Sequence, residues 1–221
     1  MLTFDVWWAD PAWAGPTHVA LLDPDEVARR EALRRPADRD RFTVAAALLR
    51  LVGARATGLA PARVPVDRAC AQCGKPHGKP RIDGYGLHVS LSHSGARVAV
   101  AAGPAPVGVD VEQISRIDIA DLAAHALGPG EKAAGPADFF VYWTRKESAV
   151  KATGDGLSVA LSGVRVSRPD QPAALLDYAT RPGLMATMRD LSPGDGYAAA
   201  LTVLAPEPWE VREHDARDLL H

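Results

Sequence analysis

Two carboxylates stand close together in the segment GVDVE at residues 108–112. In a β-strand, Asp110 and Glu112 point to the same face with Cα atoms about 6.5 Å apart, whereas Val109 and Val111 point the opposite way, into a core. Like charges at that separation repel, share a proton or hold a cation. The pattern therefore indicates either a metal-binding strand or an exposed acidic strand face.

A third carboxylate lies in the segment WTRKESAVK at residues 143–151. In a helix, Trp143, Glu147 and Lys151 follow one another at i, i+4 and i+8 and share one stripe. Because this stripe continues from apolar residues, its charges need partners. Either Glu147 and Lys151 pair with each other, or Glu147 joins Asp110 as a ligand of a hard ion with Lys151 beside it. Three carboxylates suit Mg²⁺, with Mn²⁺ as the alternative, and Mg²⁺ takes phosphate oxygens as further ligands.

A phosphate ligand needs further cations, and Arg41 is the first candidate. At 100° per residue, Val44 and Leu48 fall within about 60° of Arg41, whereas Arg39 and Arg50 fall on the opposite side. We therefore expect Arg41 to face inward near the start of a helix. There it either pairs with an acidic neighbour or reaches a bound anion.

Other phosphate-binding candidates lie before and within a predicted hairpin. Gly-Lys-Pro occurs twice, at Lys75 and at Lys79. The segment SHSG follows at residues 92–95, where strand alternation sends Ser92 and His93 to opposite faces, so they cannot form a nucleophile and base pair. No G-x-S-x-G motif is present. The segment can hold phosphate oxygens, or it is simply a polar hairpin tip.

These residues require a mixed arrangement of strands and helices. Alternation predicts strands near residues 3–8, 87–94, 96–102, 107–112, 163–167, 185–191 and 197–204, before a short polar segment that ends at His221. Helical patterning covers about 24–35, 38–57, 117–127 and 138–153, with residues 61–86 as a loop. The order predicts an α+β fold with two halves, residues 1–107 and 108–221.

Composition excludes several classes of protein. The 221 residues are 47% hydrophobic and carry a formal net charge of −2, so no global basic field favours nucleic acid as a partner. The longest apolar stretch is too short and too broken to span a membrane. The first residues lack the features of a secretory signal, and two cysteines give no disulfide framework. We expect a cytoplasmic protein with no membrane partner.

The combined motifs resemble those of the 4′-phosphopantetheinyl transferases of the Sfp type. GVDVE resembles the family's G-[IV]-D-[IVL]-E, and WTRKESAVK resembles its W-x-x-K-E-[AS]-x-x-K. The upstream Lys79-Pro80 and the segment SHSG resemble its G-K-P and S-H-[ST] elements, in the same order. The resemblance covers about residues 25–160.

The resemblance implies a pseudo-twofold arrangement of two similar α+β halves, with coenzyme A and Mg²⁺ in the cleft between them. It implies transfer of the phosphopantetheine arm to a serine of a carrier protein, releasing adenosine 3′,5′-bisphosphate. The carriers would be domains of polyketide, nonribosomal peptide or fatty acid synthases. Two fused halves remove the need for a second copy, so a monomer is expected.

Roles follow from the resemblance residue by residue. Asp110, Glu112 and Glu147 would bind the metal. From its position on a helix beside that metal, we expect Glu147 to be the base that takes the serine proton, and Lys151, one turn along, to stabilise or protonate the leaving phosphate.

The coenzyme A phosphates would contact the cations and polar side chains of six residues: Arg30, Arg41, Lys79, Ser92, His93 and Lys151. Lys79 is preferred over its rival Lys75. Glu131 is a minor candidate for the family's acidic residue ahead of the second motif.

Three further interpretations stay open. A Mg²⁺-dependent phosphohydrolase would use the same carboxylates with water as nucleophile, and a non-catalytic module would only bind carrier proteins. Cys70, Cys73 and His77 have zinc-like spacing but supply three ligands where structural zinc takes four, which favours two free thiols.

Residues 114–134, with Arg116 and Lys132, are the expected carrier-docking segment.

Overall fold

The computed structural model describes residues 1–70, 72–115 and 118–221. The chain forms two compact units, one of Met1–Pro104 with Glu210–His221 and one of Ala105–Trp209. Each unit contains a β-sheet and a long helix packed against it. The predicted α+β fold class is confirmed.

The first unit consists of β1 (Leu2–Ala9), α1 (Pro16–Val19), α2 (Pro24–Ala32), α3 (Pro36–Thr57), β2 (His88–Ser94), β3 (Arg97–Gly103), β9 (Trp209–Asp215) and α6 (Arg217–Leu220). Its sheet has the strand order β2–β3–β1–β9. The helix α3 packs against this sheet through Val44, Leu48 and Val52, which are at most 1% exposed. A proline opens α3, and Gly58, in the left-handed conformation with φ 74°, ends it.

The predicted hairpin is present as β2 and β3. Ser94 pairs with Arg97, and Gly95 supplies the turn at φ 54°, a backbone conformation that glycine adopts without strain. The hairpin fixes the direction of the SHSG side chains relative to the sheet.

The end of the chain differs from the prediction of a short polar segment, because it forms β9 and α6. β9 lies beside β1 in the sheet. Its polar side chains contact polar side chains of β1, as in the hydrogen bonds from Thr3 to Glu210 (3.0 Å) and from Trp8 to Glu213 (2.8 Å). The strand is held by polar pairs rather than by an apolar face, which removes the hydrophobic alternation on which strand prediction depends.

The second unit consists of β4 (Val107–Gln113), α4 (Ala120–Ala126), α5 (Pro136–Thr153), β5 (Val164–Val166), β6 (Leu175–Tyr178), β7 (Thr187–Asp190) and β8 (Tyr197–Val203). It is built on a sheet with the strand order β4–β8–β7 and on the helix α5. Gly135 precedes α5, and Gly154, at φ 78°, ends it as the sequence predicts. The predicted helix at 117–127 is present as α4, although its expected first residue, Ile117, lies outside the described residues.

Gly108 lets the backbone of α5 approach β4 directly. A Cβ atom at this position would lie 2.0 Å from the carbonyl oxygen of Ser148 and 2.3 Å from the amide nitrogen of Ala152. Beside this contact, the hydroxyls of Ser148 and Thr202 share a buried hydrogen bond of 2.7 Å. The face of β4 that carries Gly108, Asp110 and Glu112 therefore packs against α5, whereas Val109 and Val111 are fully buried on the other face.

Gly108→Ala should displace α5 and lower the free energy of unfolding by about 3 kcal/mol or more, since the added methyl group meets backbone atoms that cannot rotate away. The measurement is equilibrium urea unfolding.

Gly163→Ala is the matched control, because its Cβ would meet only the Ala179 side chain at an ordinary 3.4 Å. Equal stability of the Gly108→Ala protein and the parent would show that β4 and α5 tolerate a wider separation.

Candidate active site

Asp110 and Lys151 form an ion pair between β4 and α5. The Lys151 Nζ lies 2.6 Å from the Asp110 Oδ1. The Asp110 side chain is 4% exposed and that of Lys151 is 29% exposed. The structure therefore shows Lys151 paired with Asp110 across the two elements, a pairing that the sequence analysis did not include.

Glu147 lies one helical turn before Lys151 and is half-buried. Burial raises the pKa of its carboxyl, the negative charges of Asp110 and Glu112 raise it further, and Lys151 acts in the opposite direction. The three predicted carboxylates and Lys151 thus lie close enough together that the charges of Asp110, Glu112 and Lys151 each shift the pKa of Glu147. Negative charge is in excess at this face of β4 and α5.

This donor set fits a hard divalent cation. Carboxylate oxygens are the protein ligands that Mg²⁺ prefers, and a bound cation would offset the repulsion that raises the pKa of Glu147. The oxygens of Asp110, Glu112 and Glu147 do not all lie within 4.8 Å of one another. Among the described residues, the one His, Cys and acidic triad that meets this limit consists of Cys70, Cys73 and His77.

Two buried cations that the sequence did not single out hold α5 in place. The Arg145 side chain is fully buried and binds both carboxylate oxygens of Asp190, at 2.8 and 2.6 Å. It also donates to the carbonyl oxygens of Ser167, Arg168 and Gln171. Two adjacent charged residues usually indicate a solvated surface, and the acceptor Asp190 is 45 residues away in sequence.

Lys146 is the second buried cation, and Glu131 is its acidic partner. Its ammonium group binds the Glu131 carboxylate, the Ala126 carbonyl (2.9 Å) and the Leu161 carbonyl (3.1 Å). The other Glu131 oxygen accepts a hydrogen bond from the Val166 amide at 3.1 Å. Glu131 is thus engaged in anchoring α5, and the contacts described for it are structural.

The phosphate-binding candidates lie in the first unit. Lys79 is half-buried, and burial lowers its pKa to about 8, whereas Lys75 is exposed. Ser92 is 7% exposed and its neighbour His93 is exposed, so the two side chains diverge as the strand pattern predicts. The contrast between the two lysines favours Lys79 as the residue with a specific role.

Arg41 lies next to the hairpin turn. Its Nη1 donates to the Gly95 carbonyl at 3.1 Å, and its Nη2 binds the Asp38 carboxylate. Of the two alternatives left open by the sequence, the structure shows the acidic partner, Asp38, and it adds a contact with the SHSG segment. Arg30, on α2, donates to the Thr43 hydroxyl of α3 at 2.8 Å.

Arg50 is buried, contrary to what its position on the helix predicts. It was expected on the side opposite Arg41, away from the core, yet it is 2% exposed. Its guanidinium binds Glu26 (2.9 Å), Asp23 (2.7 Å) and the Val64 carbonyl (3.2 Å). The far side of α3 is covered by α2 and the following loop, so a helix position opposite the sheet is not exposed here.

In the expected docking segment, Lys132 is exposed and Arg116 lies outside the described residues. Leu122, on α4, is an exposed apolar side chain in the same segment. Among the described residues, none of the helices combines the length and the apolar character that crossing a membrane requires.

Comparison with known proteins identifies the family. The family model described as the 4′-phosphopantetheinyl transferase superfamily matches residues 106–202, which include all of β4 and α5. The 4′-phosphopantetheinyl transferase HetI of Nostoc sp. is 32% identical over 195 residues, which is 83% of this chain and 79% of the relative. The chain belongs to the 4′-phosphopantetheinyl transferase superfamily.

Two further relatives carry the same name. A 4′-phosphopantetheinyl transferase of Bacillus subtilis is 32% identical over 153 residues, covering 64% of this chain and 66% of the relative. The transferase Sfp of Bacillus subtilis (strain 168) is 30% identical over 146 residues, covering 59% and 62%. The predicted family and enzyme class are confirmed, and with them coenzyme A-dependent phosphopantetheinyl transfer to carrier proteins.

In this phosphopantetheinyl transferase, Glu147→Gln should raise the melting temperature at pH 7 when a chelator removes divalent cations. Because the folded-state pKa of Glu147 lies above the ordinary 4.5, the folded protein binds this proton more tightly than the unfolded chain does. Stability is therefore lost as the pH rises above the ordinary value, and the amide avoids that loss.

The test is a series of thermal melts from about pH 4 to pH 7, with the gap between variant and parent closing toward the acid end. Glu31→Gln, at an exposed position of α2, is the control. A variant that is less stable than the parent at pH 7 would contradict the sign of the effect.

Proposed function

We propose that this transferase uses Mg²⁺ held by Asp110, Glu112 and Glu147 to move the phosphopantetheine arm of coenzyme A onto a serine of an apo carrier protein. The observation that carries the proposal is the convergence of three carboxylates and Lys151 where β4 packs against α5. When bound, the ion supplies positive charge to the pyrophosphate, and Mn²⁺ is the alternative ion.

The chain's own residues then handle the proton and the leaving group. The serine oxygen forms a bond to the phosphorus of the arm, and the bond from that phosphorus to adenosine 3′,5′-bisphosphate breaks. Glu147 takes the serine proton, a role that its raised pKa supports because a stronger base accepts a proton more readily. Lys151 stabilises the negative charge that develops on the leaving phosphate.

Asp110 has a second task beside metal binding. Its carboxylate holds the Lys151 ammonium at 2.6 Å, which fixes the position of the cation. Since Lys151 is on the last turn of α5, its long side chain would otherwise sample many rotamers. A fixed cation loses less entropy when the leaving phosphate develops its charge.

Residues of the first unit are proposed to bind the phosphates of coenzyme A. Lys79 is the leading cation, because a bound phosphate would offset the burial that lowers its pKa to about 8. Ser92 and His93 add a hydroxyl and an imidazole, and Arg41, with Arg30, is assigned to the 3′-phosphate. Lys75 is exposed and remains the weaker candidate.

The acceptors are proposed to be carrier domains of polyketide, nonribosomal peptide or fatty acid synthases. The residues of segment 114–134 that the structure describes include the exposed Lys132 and Leu122, one cation and one apolar contact. Such a pair suits a carrier surface that is acidic around its serine, because rim charges act mainly on encounter and orientation.

Mass spectrometry of an apo carrier protein incubated with this transferase, coenzyme A and Mg²⁺ tests the assignment. The carrier should gain the mass of one phosphopantetheine group, and a chelator should stop the reaction. Glu112→Gln should reduce turnover roughly 100-fold, because the site loses one of three charged oxygen ligands. Glu31→Gln, far from this set in sequence and exposed, should retain full turnover.

The outcomes separate the rival functions. Consumption of coenzyme A without a change in carrier mass would indicate the phosphohydrolase. A carrier that binds but is never modified, whatever the metal, would indicate the binding module. Full turnover of Glu112→Gln would remove Glu112 from the metal site.

Arg41→Ala should weaken the binding of coenzyme A by about tenfold to a hundredfold, because a charge-assisted hydrogen bond contributes about 1.5–3 kcal/mol. It should leave 3′-dephospho-coenzyme A almost unaffected, since that ligand lacks the assigned phosphate. Isothermal titration of both ligands measures the difference.

Asp38→Ala is the matched control, because it removes the acidic partner of Arg41 and keeps the guanidinium. Equal losses for both ligands in Arg41→Ala would mean that Arg41 acts on the SHSG turn rather than on the 3′-phosphate.

A further inference from the structure

The segment between Asp67 and Arg81 is a loop whose two sides are tied together by backbone hydrogen bonds. Asp67 and Arg81 pair as an antiparallel bridge at its base. Further along, the Gly78 N–H donates to the Arg68 carbonyl at 2.7 Å, and the Cys70 N–H donates to the Lys75 carbonyl at 2.9 Å. The described residues at the tip of the loop are therefore held by backbone hydrogen bonds.

Gly78 shows how closely the two sides of the loop approach. A Cβ atom at this position would lie 2.8 Å from the Ala69 carbonyl oxygen and 3.0 Å from the Cys70 Cα. The close approach brings His77, the neighbour of Gly78, back toward the cysteines at the tip.

Three soft ligand atoms meet at this tip. The Cys70 Sγ, the Cys73 Sγ and a His77 ring nitrogen all lie within 4.8 Å of one another. The Cys73 Sγ is 3.0 Å from the His77 Nε2. Cys73 and His77 are exposed, so a metal ion from solution has direct access to them.

The turn also orients the sulfur of Cys70. Hydrogen bonding from the backbone N–H groups of Gln72 and Cys73 lowers the pKa of the Cys70 thiol. Gly74 follows at φ 72°, and its N–H donates to the Cys70 carbonyl at 2.8 Å. Hydrogen bonds of this kind fix the direction of a ligand atom before a metal binds, as contacts around metal sites do.

We infer that Cys70, Cys73 and His77 bind one Zn²⁺ ion. Two thiolates and a neutral imidazole are the donors that zinc prefers, whereas Mg²⁺ prefers the oxygens of the carboxylates in the second unit. Binding displaces the two thiol protons and leaves the complex without net charge. Three protein ligands leave one coordination position for water or another small donor.

The sequence alone favours two free thiols because a fourth protein ligand is missing. The structure instead favours a metal site, because His77 is in contact with Cys73 and the turn already holds Cys70. A Cys70–Cys73 disulfide is the rival occupant, but such a bond would leave no use for the His77 ring 3.0 Å from Cys73.

One consequence concerns Lys79, which follows His77 by two residues in the same loop. A metal at the tip would restrict this loop and with it the position of the Lys79 ammonium. This consequence rests on the proposed function, whereas the metal site itself does not depend on it.

The test measures metal content, so failure of the transferase assignment would not affect it. The full chain, produced in zinc-supplemented medium and freed of loose metal by gel filtration, should contain about one zinc per chain by elemental analysis. After zinc removal under reducing conditions, added Co²⁺ should produce the thiolate-to-metal absorption of a sulfur-bound cobalt ion.

Cys73→Ser and His77→Ala should each weaken zinc binding roughly 100-fold or more, since even contacts around a ligand contribute about 10–100-fold. His125→Ala, an exposed histidine of α4, should keep the full zinc content. Circular dichroism of each variant checks that the fold is retained.

Two results would overturn the site. One is zinc retained equally by the parent, Cys73→Ser and His77→Ala. The other is a reduced parent protein that takes up neither Zn²⁺ nor Co²⁺. Thiol titration of the untreated protein identifies the rival: two reactive thiols without metal uptake indicate free cysteines, and none indicates the disulfide.

Discussion

The direct contact between the backbones of β4 and α5 at Gly108 sets the distance between the charged side chains of these two elements. With no side chain at this position, the carbonyl of Ser148 and the amide of Ala152 lie where a Cβ atom would otherwise be. Asp110, two residues along the strand, then reaches Lys151 at 2.6 Å. A wider separation would move the carboxylates of the strand away from those of the helix, and the charges would no longer act on one another.

The rotation of α5 about its axis is set by charge as well as by apolar packing. Arg145 and Lys146 are fully buried, and each is surrounded by carbonyl and carboxylate acceptors, which is the condition under which a buried cation is stable. Their next neighbour, Glu147, is therefore directed toward β4. A helix held by such directional contacts has one rotation that satisfies all donors, whereas a purely apolar face would tolerate several.

Local pattern predicted the elements of the second unit and the faces on which its charged residues lie better than it predicted the partners of those residues. Strand alternation placed Asp110 and Glu112 correctly on one face, and helical spacing placed Glu147 and Lys151 on one stripe. The partners of Lys146, Arg145 and Arg50 lie 14 to 45 positions away in sequence, and no single-segment pattern contains that information. The strand β9 was missed for a related reason, because its contacts with β1 are polar and show no hydrophobic period.

The position of β9 has a consequence for the order in which the units can form during synthesis. The second unit is continuous in sequence, from Ala105 to Trp209, and can complete its own sheet as soon as those residues have left the ribosome. The first unit begins to fold earlier, yet β1 keeps an unpaired edge until residues 209–215 have been made. An open strand edge invites pairing with other chains. For about half of elongation, the nascent protein thus exposes a strand edge that can pair with other chains, until residues 209–215 pair with it.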